Sequence, residues 1–276
     1  MQTSAMPQAL GTNPPMPASL ALWRAMIDGC NLLCCLAPGY EAHLLPDSAL
    51  ILSGEPHADM NFAFVGNASD AIQHLRTFHE RASVRELPLM LLSTEAAAPR
   101  IIDLASSMGF VAAGEVPFLT CRTPHPSLSG HPYLVERIEN TLMLSKAVPL
   151  IARTFGLPAP AVARIYNPET LALPGVDYFI ACREGEIWSS VQTTRIGTQV
   201  GIWSMATPPE YQRQGAGRAL LQAVLDHHRQ RGADLFYLIS SSAGHALYQR
   251  LGFQDTGRLS AWIIGTSTQL GTSAAA

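Results

Sequence analysis

The chain carries little charge, and neither sign is in excess. Of its 276 residues only 14% are charged, with 18 lysines and arginines against 21 aspartates and glutamates, so the net charge is −3. A protein that binds nucleic acid or an anionic membrane presents a basic patch that attracts phosphate groups. This balance predicts no nucleic-acid partner and no membrane partner, so any phosphate must be bound by a local site.

The sequence also lacks segments that would direct it into or across a membrane. Residues 1–18 have neither a positively charged cluster nor an apolar run, so we expect a flexible leader rather than a signal peptide. The apolar segment that follows is interrupted by Arg24, Asp28 and Asn31, which leaves no run long enough to span a bilayer. We therefore expect a soluble, cytoplasmic protein.

The cysteines do not follow a zinc-binding pattern. They lack paired C-x2-C spacing, and no H-x3-5-H segment follows them. An odd number without a secretory signal predicts free thiols in a reducing compartment, and the first three suit the apolar face of a helix. No metal is expected. The cysteines are Cys30, Cys34, Cys35, Cys121 and Cys182.

Apolar residues, in contrast, are abundant and regularly spaced. They make up 47% of the chain, which predicts a folded protein with a large core. Short apolar runs alternate with segments of helical periodicity, which indicates an α/β fold of the α+β type with a mixed central sheet flanked by helices. The segment TPHPSLSGHP has three prolines, two serines and a glycine, and is typical of a linker. We expect a leader at 1–18, a first block at 19–122, the linker at 123–132, a second block at 133–265 and a flexible tail at 266–276.

Helices and strands can be placed within each block. In the first block, helices are predicted at 19–37, 69–82 (capped by Ser69) and 96–110, and strands at 43–46, 49–54, 60–66, 87–93 and 110–122. In the second block, helices are predicted at 135–156 (bent at Pro149), 158–167, 215–232 and 243–252. A β-meander is predicted at 177–207, with later strands at 234–240 and 258–264.

The two blocks share a repeated pattern of residues and secondary-structure elements. In each, a helix ends in Gly-Phe, and a further glycine precedes a strand. Because helix, strand and helix also precede both copies in the same order, we expect two tandem copies of one fold. The alternative is two unrelated α/β segments that both end a helix in glycine. The matching residues are Gly109, Phe110 and Gly114 in the first block, and Gly252, Phe253 and Gly257 in the second.

The segment QRQGAGR stands where a strand turns into an amphipathic helix. A helix N-terminus has unpaired N–H groups and a partial positive charge, and Gly215 and Gly217 would let an anion approach them. Arg213 and Arg218 would add charged donors. The segment lacks the third glycine of a dinucleotide fingerprint and the G-K-[ST] of a P-loop. Taken alone, it predicts an anion site or a purely structural turn equally well.

The surrounding residues resemble the GNAT superfamily of acyl-CoA-dependent N-acyltransferases. The family motif Q/R-x-x-G-x-G/A is present as Gln212, Gly215 and Gly217, and the family's closing helix is present as LYQRLGF, residues 247–253. The close match covers about 60 residues, and the family's order of elements extends loosely back to residue 133.

This resemblance implies that the anion is the pyrophosphate of acetyl-CoA, the co-substrate. Tyr248 matches the tyrosine that protonates the departing thiolate in many members, although packing beside Leu247 and Leu251 would also explain it. Ser241 stands where the family often has an asparagine that contacts CoA. The other implied contacts are Met205, Ala206 and Thr207 for the pantetheine arm, and Gln212, Arg213, Gln214, Gly215, Ala216, Gly217 and Arg218 around the phosphates.

The general base is not assigned. No glutamate lies on the strand TQVGIWSMA, where many members have one. His245 has a suitable pKa for proton transfer at neutral pH, but an exposed helix residue is the simpler interpretation. Glu184, Glu186 and Glu210 are expected in solvated loops.

The first block lacks the expected chemistry. Ala105 stands where Tyr248 stands in the second block, and VGNASDA replaces the glycine motif. We therefore expect a degenerate copy that closes one wall of the acceptor site. His57, Asp59 and Asn61 are candidates for lining that wall, or they form an ordinary polar loop.

The hypothesis is an N-acetyltransferase that moves an acetyl group to a primary amine of a small molecule or peptide by direct attack in a ternary complex. No cysteine lies near the glycine turn in sequence, which argues against a cysteine relay. The alternatives are a non-catalytic acyl-CoA sensor and transfer of a longer acyl chain, which Trp203 and Met205 would suit. The acceptor stays open, and so does a homodimer.

Overall fold

A computed structural model describes residues 20–66, 69–125 and 130–265. The predicted leader, the predicted tail and the centre of the predicted linker lie outside these residues. The strands of the described ranges form one mixed sheet. They are β1 (Glu41–Leu44), β2 (Ser48–Leu52), β3 (Asn61–Val65), β4 (Leu89–Thr94), β5 (Val111–Cys121), β6 (Leu134–Arg137), β7 (Val176–Arg183), β8 (Glu186–Ile196), β9 (Gln199–Ala206), β10 (Leu235–Ile239) and β11 (Gln254–Ile264).

Helices cover both faces of this sheet, as its alternating apolar residues require. The first and the fourth and fifth helices share one face, and the other helices pack on the opposite face. Among the described helices, none is both long and apolar enough for a membrane span. The helices are α1 (Leu20–Cys34), α2 (Ala71–Val84), α3 (Ala98–Ser107), α4 (Thr141–Phe155), α5 (Ala159–Ile165), α6 (Ala216–Gln230) and α7 (Ser242–Arg250).

The centre of the sheet interleaves strands from both predicted blocks. The strand order is β1-β2-β3-β4-β11-β5-β10-β9-β8-β7-β6. The last strand of the chain, β11, lies between β4 and β5, while β5 lies between β11 and β10. The last strand of the first block, β5, therefore pairs with β10 of the second block, and the last strand of the second block, β11, pairs with β4 of the first.

The two parts of the sheet follow the same plan. Each has antiparallel strands followed by one parallel pair, which is β3–β4 in the first part and β9–β10 in the second. A helix links the two strands of each parallel pair, α2 in the first case and α6 in the second. This common plan is compatible with two tandem copies, which stay a prediction.

The prediction of one continuous helix from residue 135 is wrong at its start. Residues 134–137 form β6, the edge strand, which pairs with β7 from Leu134↔Cys182 onward. The helix begins later because Asn140 caps it: its side-chain oxygen accepts a hydrogen bond from the N–H of Met143. Pro149 lies inside α4 as expected.

Several other boundaries differ from the prediction, and two of them have a clear reason. Helix α2 begins at Ala71 and is preceded by Asp70 rather than Ser69 at the cap position. Strand β11 begins at Gln254, four residues earlier than expected, because its polar start pairs with the end of β5. Polar strand ends are difficult to recognise from apolar periodicity.

Helix α6 agrees closely with the sequence. Gly215 precedes it with φ 96°, and Gly232 follows it with φ 84°, two left-handed positions that favour glycine. Its apolar side chains Leu220, Val224 and Leu225 are fully buried against the sheet. The N-terminus of α6 is thereby fixed at the end of β9.

Candidate active site

The sheet opens between β9 and β10. Their parallel ladder joins Leu235 to Gln199 and ends at Tyr237↔Gly201, yet β9 continues to Ala206. Beyond this pair the other edge of β10 stays bonded to β5, with Ile239 opposite Phe118. The end of β9 therefore has an edge that no strand in the described residues fills.

A β-bulge lies on β9 within this opening. Ser190 pairs with Ala206 and Gln192 with Trp203, so β9 has one more residue than β8 between these pairs. Ser204, in the extra stretch, has φ 47°. A left-handed conformation at a residue other than glycine costs about 1–2 kcal/mol, and such strain is often concentrated at functional sites.

The loop that leads into α6 presents a row of free donors. No backbone N–H of residues 213–218 donates a hydrogen bond to an acceptor in the described part of the chain. Arg213 has φ 62° and Gly215 has φ 96°, and these left-handed turns shape the loop. Successive unpaired N–H groups at a helix N-terminus form an anion site.

Side chains hold this loop in place. Nε2 of Gln212 donates to the carbonyl oxygen of Thr207 at 2.9 Å, and Nε2 of Gln214 donates to that of Glu210 at 3.0 Å. The hydroxyl of Tyr133 donates to the carbonyl oxygen of Gln214 at 2.8 Å. The side chains of Gln212 and Gln214 thus hold the loop in its shape. Tyr133, which directly precedes the edge strand β6, supports the loop as well. Sequence reasoning missed Tyr133.

The start of α6 packs closely on the end of β9. A Cβ added at Gly217 would lie 3.2 Å from Cε of Met205 and 3.3 Å from Oγ1 of Thr207. Ala206 is fully buried. The three predicted pantetheine contacts and the glycine loop therefore meet at one end of the opening.

Two arginines flank the same loop. Arg213 and Arg218 are exposed, and neither forms an ion pair with any described residue. Ala216, in contrast, is buried. Both guanidinium groups are free to bind an anion at the helix N-terminus.

Tyr248 lies on α7 with its ring buried and its side chain 8% exposed. The ring packs against Phe253, and a Cβ added at Gly244 would lie 2.9 Å from it. Burial raises the pKa of Tyr248 to about 12, and its hydroxyl makes no hydrogen bond within the described residues. The phenol is therefore protonated at neutral pH and has an unused donor.

Ser241 is exposed and precedes α7 as its cap. Its Oγ accepts a hydrogen bond from the N–H of Gly244 at 3.3 Å. This serine accounts for the start of the helix, and its contact with CoA stays a prediction.

His245 faces away from the opening. Its Nε2 lies 2.9 Å from Oδ1 of Asp255, at the start of β11. The sheet order places β11 three strands from β9, which is about 14 Å at ~4.8 Å per strand. Neither β9 nor β10 carries a carboxylate or an imidazole. The strands of the opening therefore supply no side-chain base.

The polar loop of the first block is built around Asn61. This side chain is fully buried, accepts from the N–H of Ser53 at 3.0 Å and donates to the carbonyl oxygen of Glu55 at 2.7 Å. Asn61 is used within its own loop, so it is not available to line a cleft. Asp59 is also buried, and His57 is partly exposed.

Asp177, His227 and His228 bring three potential metal donors within 4.8 Å of one another. The carboxylate of Asp177, however, is paired with Nε of Arg137 at 2.9 Å. Arg137, Arg195 and Arg231 all lie close enough to act on the pKa of Asp177. Three neighbouring guanidinium groups disfavour a further cation, so this cluster is best described as a charge network.

Known proteins are similar to this chain in part of its sequence and in its fold. A family model described as an acetyltransferase (GNAT) domain matches residues 174–255. The [Ribosomal protein bS18]-alanine N-acetyltransferase of Escherichia coli (strain K12) is 35% identical over 99 residues, which cover 30% of this chain and 67% of the relative.

Solved structures extend the likeness of fold to both blocks. A GCN5-related N-acetyltransferase from Kribbella flavida has a TM-score of 0.66 at 14% identity and covers 91% of this chain and 97% of its own. A second one, from Sphaerobacter thermophilus, has a TM-score of 0.55 at 13% identity and covers 80% of this chain and 78% of its own. Together with the opening between β9 and β10 and the anion loop before α6, these matches show that the chain is an acyltransferase and belongs to the GNAT acetyltransferase family.

Proposed function

We propose that the protein transfers an acetyl group from acetyl-CoA to a primary amine by direct attack within a ternary complex. The observation that carries this proposal is the row of unpartnered N–H groups at residues 213–218, located where the β9–β10 opening ends. These groups, with Arg213 and Arg218, would bind the pyrophosphate. The free edge of β9 at Met205, Ala206 and Thr207 would pair with the pantetheine arm.

Two steps of the transfer have a backbone or side-chain group suited to them, and the proton that the attacking amine loses passes to water. N–H groups near the Ser204 bulge would polarise the thioester carbonyl, because the bulge disturbs their pairing with β8. The Tyr248 phenol would donate its proton to the departing thiolate. Because burial raises its pKa, the phenol is protonated at neutral pH, so its hydroxyl can hydrogen-bond to the thiolate as it forms and supply the proton.

We further propose that the acceptor is the N-terminal α-amine of a peptide or protein. The relative from Escherichia coli acts, by its name, on an alanine of ribosomal protein bS18. The absence of a side-chain base on β9 and β10 also favours this class of amine. An α-amine has a pKa of about 7.7–8.0 against about 10.4 for lysine, so roughly one in ten is neutral at pH 7 against roughly one in 2,500. An α-amine therefore needs much less help to become a nucleophile.

The test compares two matched peptides by the release of CoA thiol from acetyl-CoA. One peptide begins with a free alanine and contains an internal lysine, and the other is identical except that its N-terminus is already acetylated. We expect thiol release with the first peptide only, and mass spectrometry should locate one acetyl group on the N-terminus. Equal release with both peptides would contradict an α-amine acceptor.

We propose that the first block is a degenerate copy that binds no CoA. Its parallel ladder extends from Phe62↔Met90 to Val65↔Ser93, so β3 is paired to its last residue. No unpaired end comparable to that of β9 is left on β3. Calorimetry should therefore give one acetyl-CoA site per chain, and two sites would refute this assignment.

A further inference from the structure

Two aromatic side chains close the inner end of the β9–β10 opening. Trp203 lies two residues beyond Gly201, at which the ladder ends, and it faces the same side of the sheet. Its ring meets that of Tyr237 edge-on, with centroids 6.1 Å apart and planes at 89°. A Cβ added at Gly201 would lie 2.5 Å from Nε1 of Trp203 and 2.9 Å from Cζ of Tyr237. The two rings therefore cover the point where the strands separate.

Hydrogen bonds fix both rings. Nε1 of Trp203 donates to Oγ1 of Thr194 at 2.7 Å, and the hydroxyl of Tyr237 donates to the carbonyl oxygen of Ala25 at 2.7 Å. Tyr237 is fully buried, whereas Trp203 is partly exposed. The indole can turn away from the opening only by breaking its bond to Thr194.

Helix α1 of the first block holds the rings from outside. A Cβ added at Gly29 would lie 2.5 Å from Oγ1 of Thr194, 2.8 Å from the hydroxyl of Tyr237 and 3.2 Å from Cζ2 of Trp203. Helix and rings are thus in direct contact, with no room for even a methyl group between them. The indole is held between α1 and the sheet and cannot retreat.

We propose that Trp203 limits the length of the acyl group that the enzyme accepts. This inference rests on the proposed orientation of acetyl-CoA along β9, with its phosphates at residues 213–218 and its pantetheine arm at Met205–Thr207. In that orientation the thioester lies near the bulge at Ser204, and the acyl chain points toward Trp203, about 7 Å along the strand from Met205. An acetyl group ends before the indole, and each further methylene must displace a ring that is fixed on both sides.

The experiment measures Kd by calorimetry for free CoA, acetyl-CoA, butyryl-CoA and hexanoyl-CoA, so no acceptor is needed. In the unmodified protein we expect hexanoyl-CoA to bind at least about tenfold more weakly than acetyl-CoA, since overfilling a packed apolar site by one methylene already costs about tenfold. In Trp203→Ala we expect this ratio to fall to about two or less. Free CoA has no acyl group, and its Kd should be the same in both proteins.

Control variants separate the proposed role from a general loss of packing. Trp262→Ala removes a buried indole from β11, in the apolar cluster under α2 and α3, and should leave the ratio of acyl-CoA affinities unchanged. If Trp203→Ala does not fold, Trp203→Leu gives the same test with a smaller loss of volume. Unchanged discrimination in a folded Trp203 variant would overturn the proposal, as would equal binding of acetyl-CoA and hexanoyl-CoA by the unmodified protein. Failure of free CoA to bind at all would instead refute the proposed phosphate site.

Discussion

Replacing Tyr248 with phenylalanine tests whether this residue is a catalytic acid or part of the core. The ring packs against Phe253 and closely approaches Gly244, contacts that phenylalanine retains. The hydroxyl forms no hydrogen bond within the described residues, so its removal breaks none. We expect the free energy of unfolding to change by less than about 0.5 kcal/mol.

The effect on catalysis should be much larger. A correctly placed general acid contributes about 10²–10⁴-fold to the rate. Tyr248→Phe should therefore lower kcat by at least about 100-fold, which corresponds to about 2.7 kcal/mol of transition-state stabilisation. The Kd of acetyl-CoA should change little, because the proton is needed only when the thiolate leaves.

Tyr178→Phe is the matched control. Tyr178 is also buried, but its hydroxyl donates to Oγ1 of Thr170 at 2.8 Å and accepts from Nε2 of Gln192 at 2.9 Å. Removing it leaves buried partners unsatisfied and should cost about 1–3 kcal/mol of stability with little effect on kcat. The two variants should thus show opposite patterns in urea unfolding and steady-state kinetics. A normal kcat for Tyr248→Phe, or an equal loss of kcat and acetyl-CoA affinity, would refute the reasoning.

Three other substitutions test separate parts of the structure. Arg218→Ala should weaken acetyl-CoA binding by roughly tenfold at low salt and by less at high salt, as calorimetry at two ionic strengths can show; a loss independent of salt would argue against a phosphate contact. Gly29→Ala should destabilise the protein by about 1–3 kcal/mol, because the new methyl group would lie 2.5 Å from Oγ1 of Thr194. This loss is expected although alanine is the better helix former. A raised melting temperature would show that α1 adjusts freely. Burial lowers the pKa of His228 to about 3. Below about pH 6.5 the unfolded chain therefore binds a proton that the folded chain does not. The free energy of unfolding should decrease by up to about 1.4 kcal/mol for each unit by which the pH is lowered. His228→Gln should reduce this slope in acid unfolding experiments, and an unchanged slope would contradict a neutral His228.

The sequence predicts the parts of the fold that depend on local signals. The glycines at 215 and 232, with the buried apolar face between them, define α6 without any knowledge of the sheet. The same holds for α7, whose motif LYQRLGF places Tyr248 on its buried side. The structure confirms the predicted mixed sheet flanked by helices. It was predictable because strands and helices alternate clearly in the apolar pattern.

Long-range pairing was not predictable in the same way. The apolar runs of β5 and β11 do not indicate which strands they pair with. The exchange of these two strands between the two parts of the sheet was therefore not predictable from the sequence. The misassigned β6 is a short edge strand, LVER, without an alternating pattern, and its register comes from β7. The left-handed Ser204 also gave no signal, because glycine or asparagine is the usual mark of that conformation.

Of the predicted site, the residues brought together are those of the glycine loop and the end of β9, while His245 and Asn61 are directed elsewhere. The residues proposed to contact CoA could be predicted from the sequence because a helix N-terminus is a local feature. The sequence's candidates for the acceptor wall were His57, Asp59 and Asn61, of which Asn61 is used within its own loop.

Contacts between the two blocks show what the first block contributes to the opening. Strand β5 covers the edge of β10 that would otherwise be exposed, and β10 forms one side of the opening. Helix α1 supports Trp203 and Tyr237 at the inner end of that opening through Gly29 and the carbonyl oxygen of Ala25. One side of the opening and its closed end therefore both depend on residues before 122, so the first block helps to form the opening in the second.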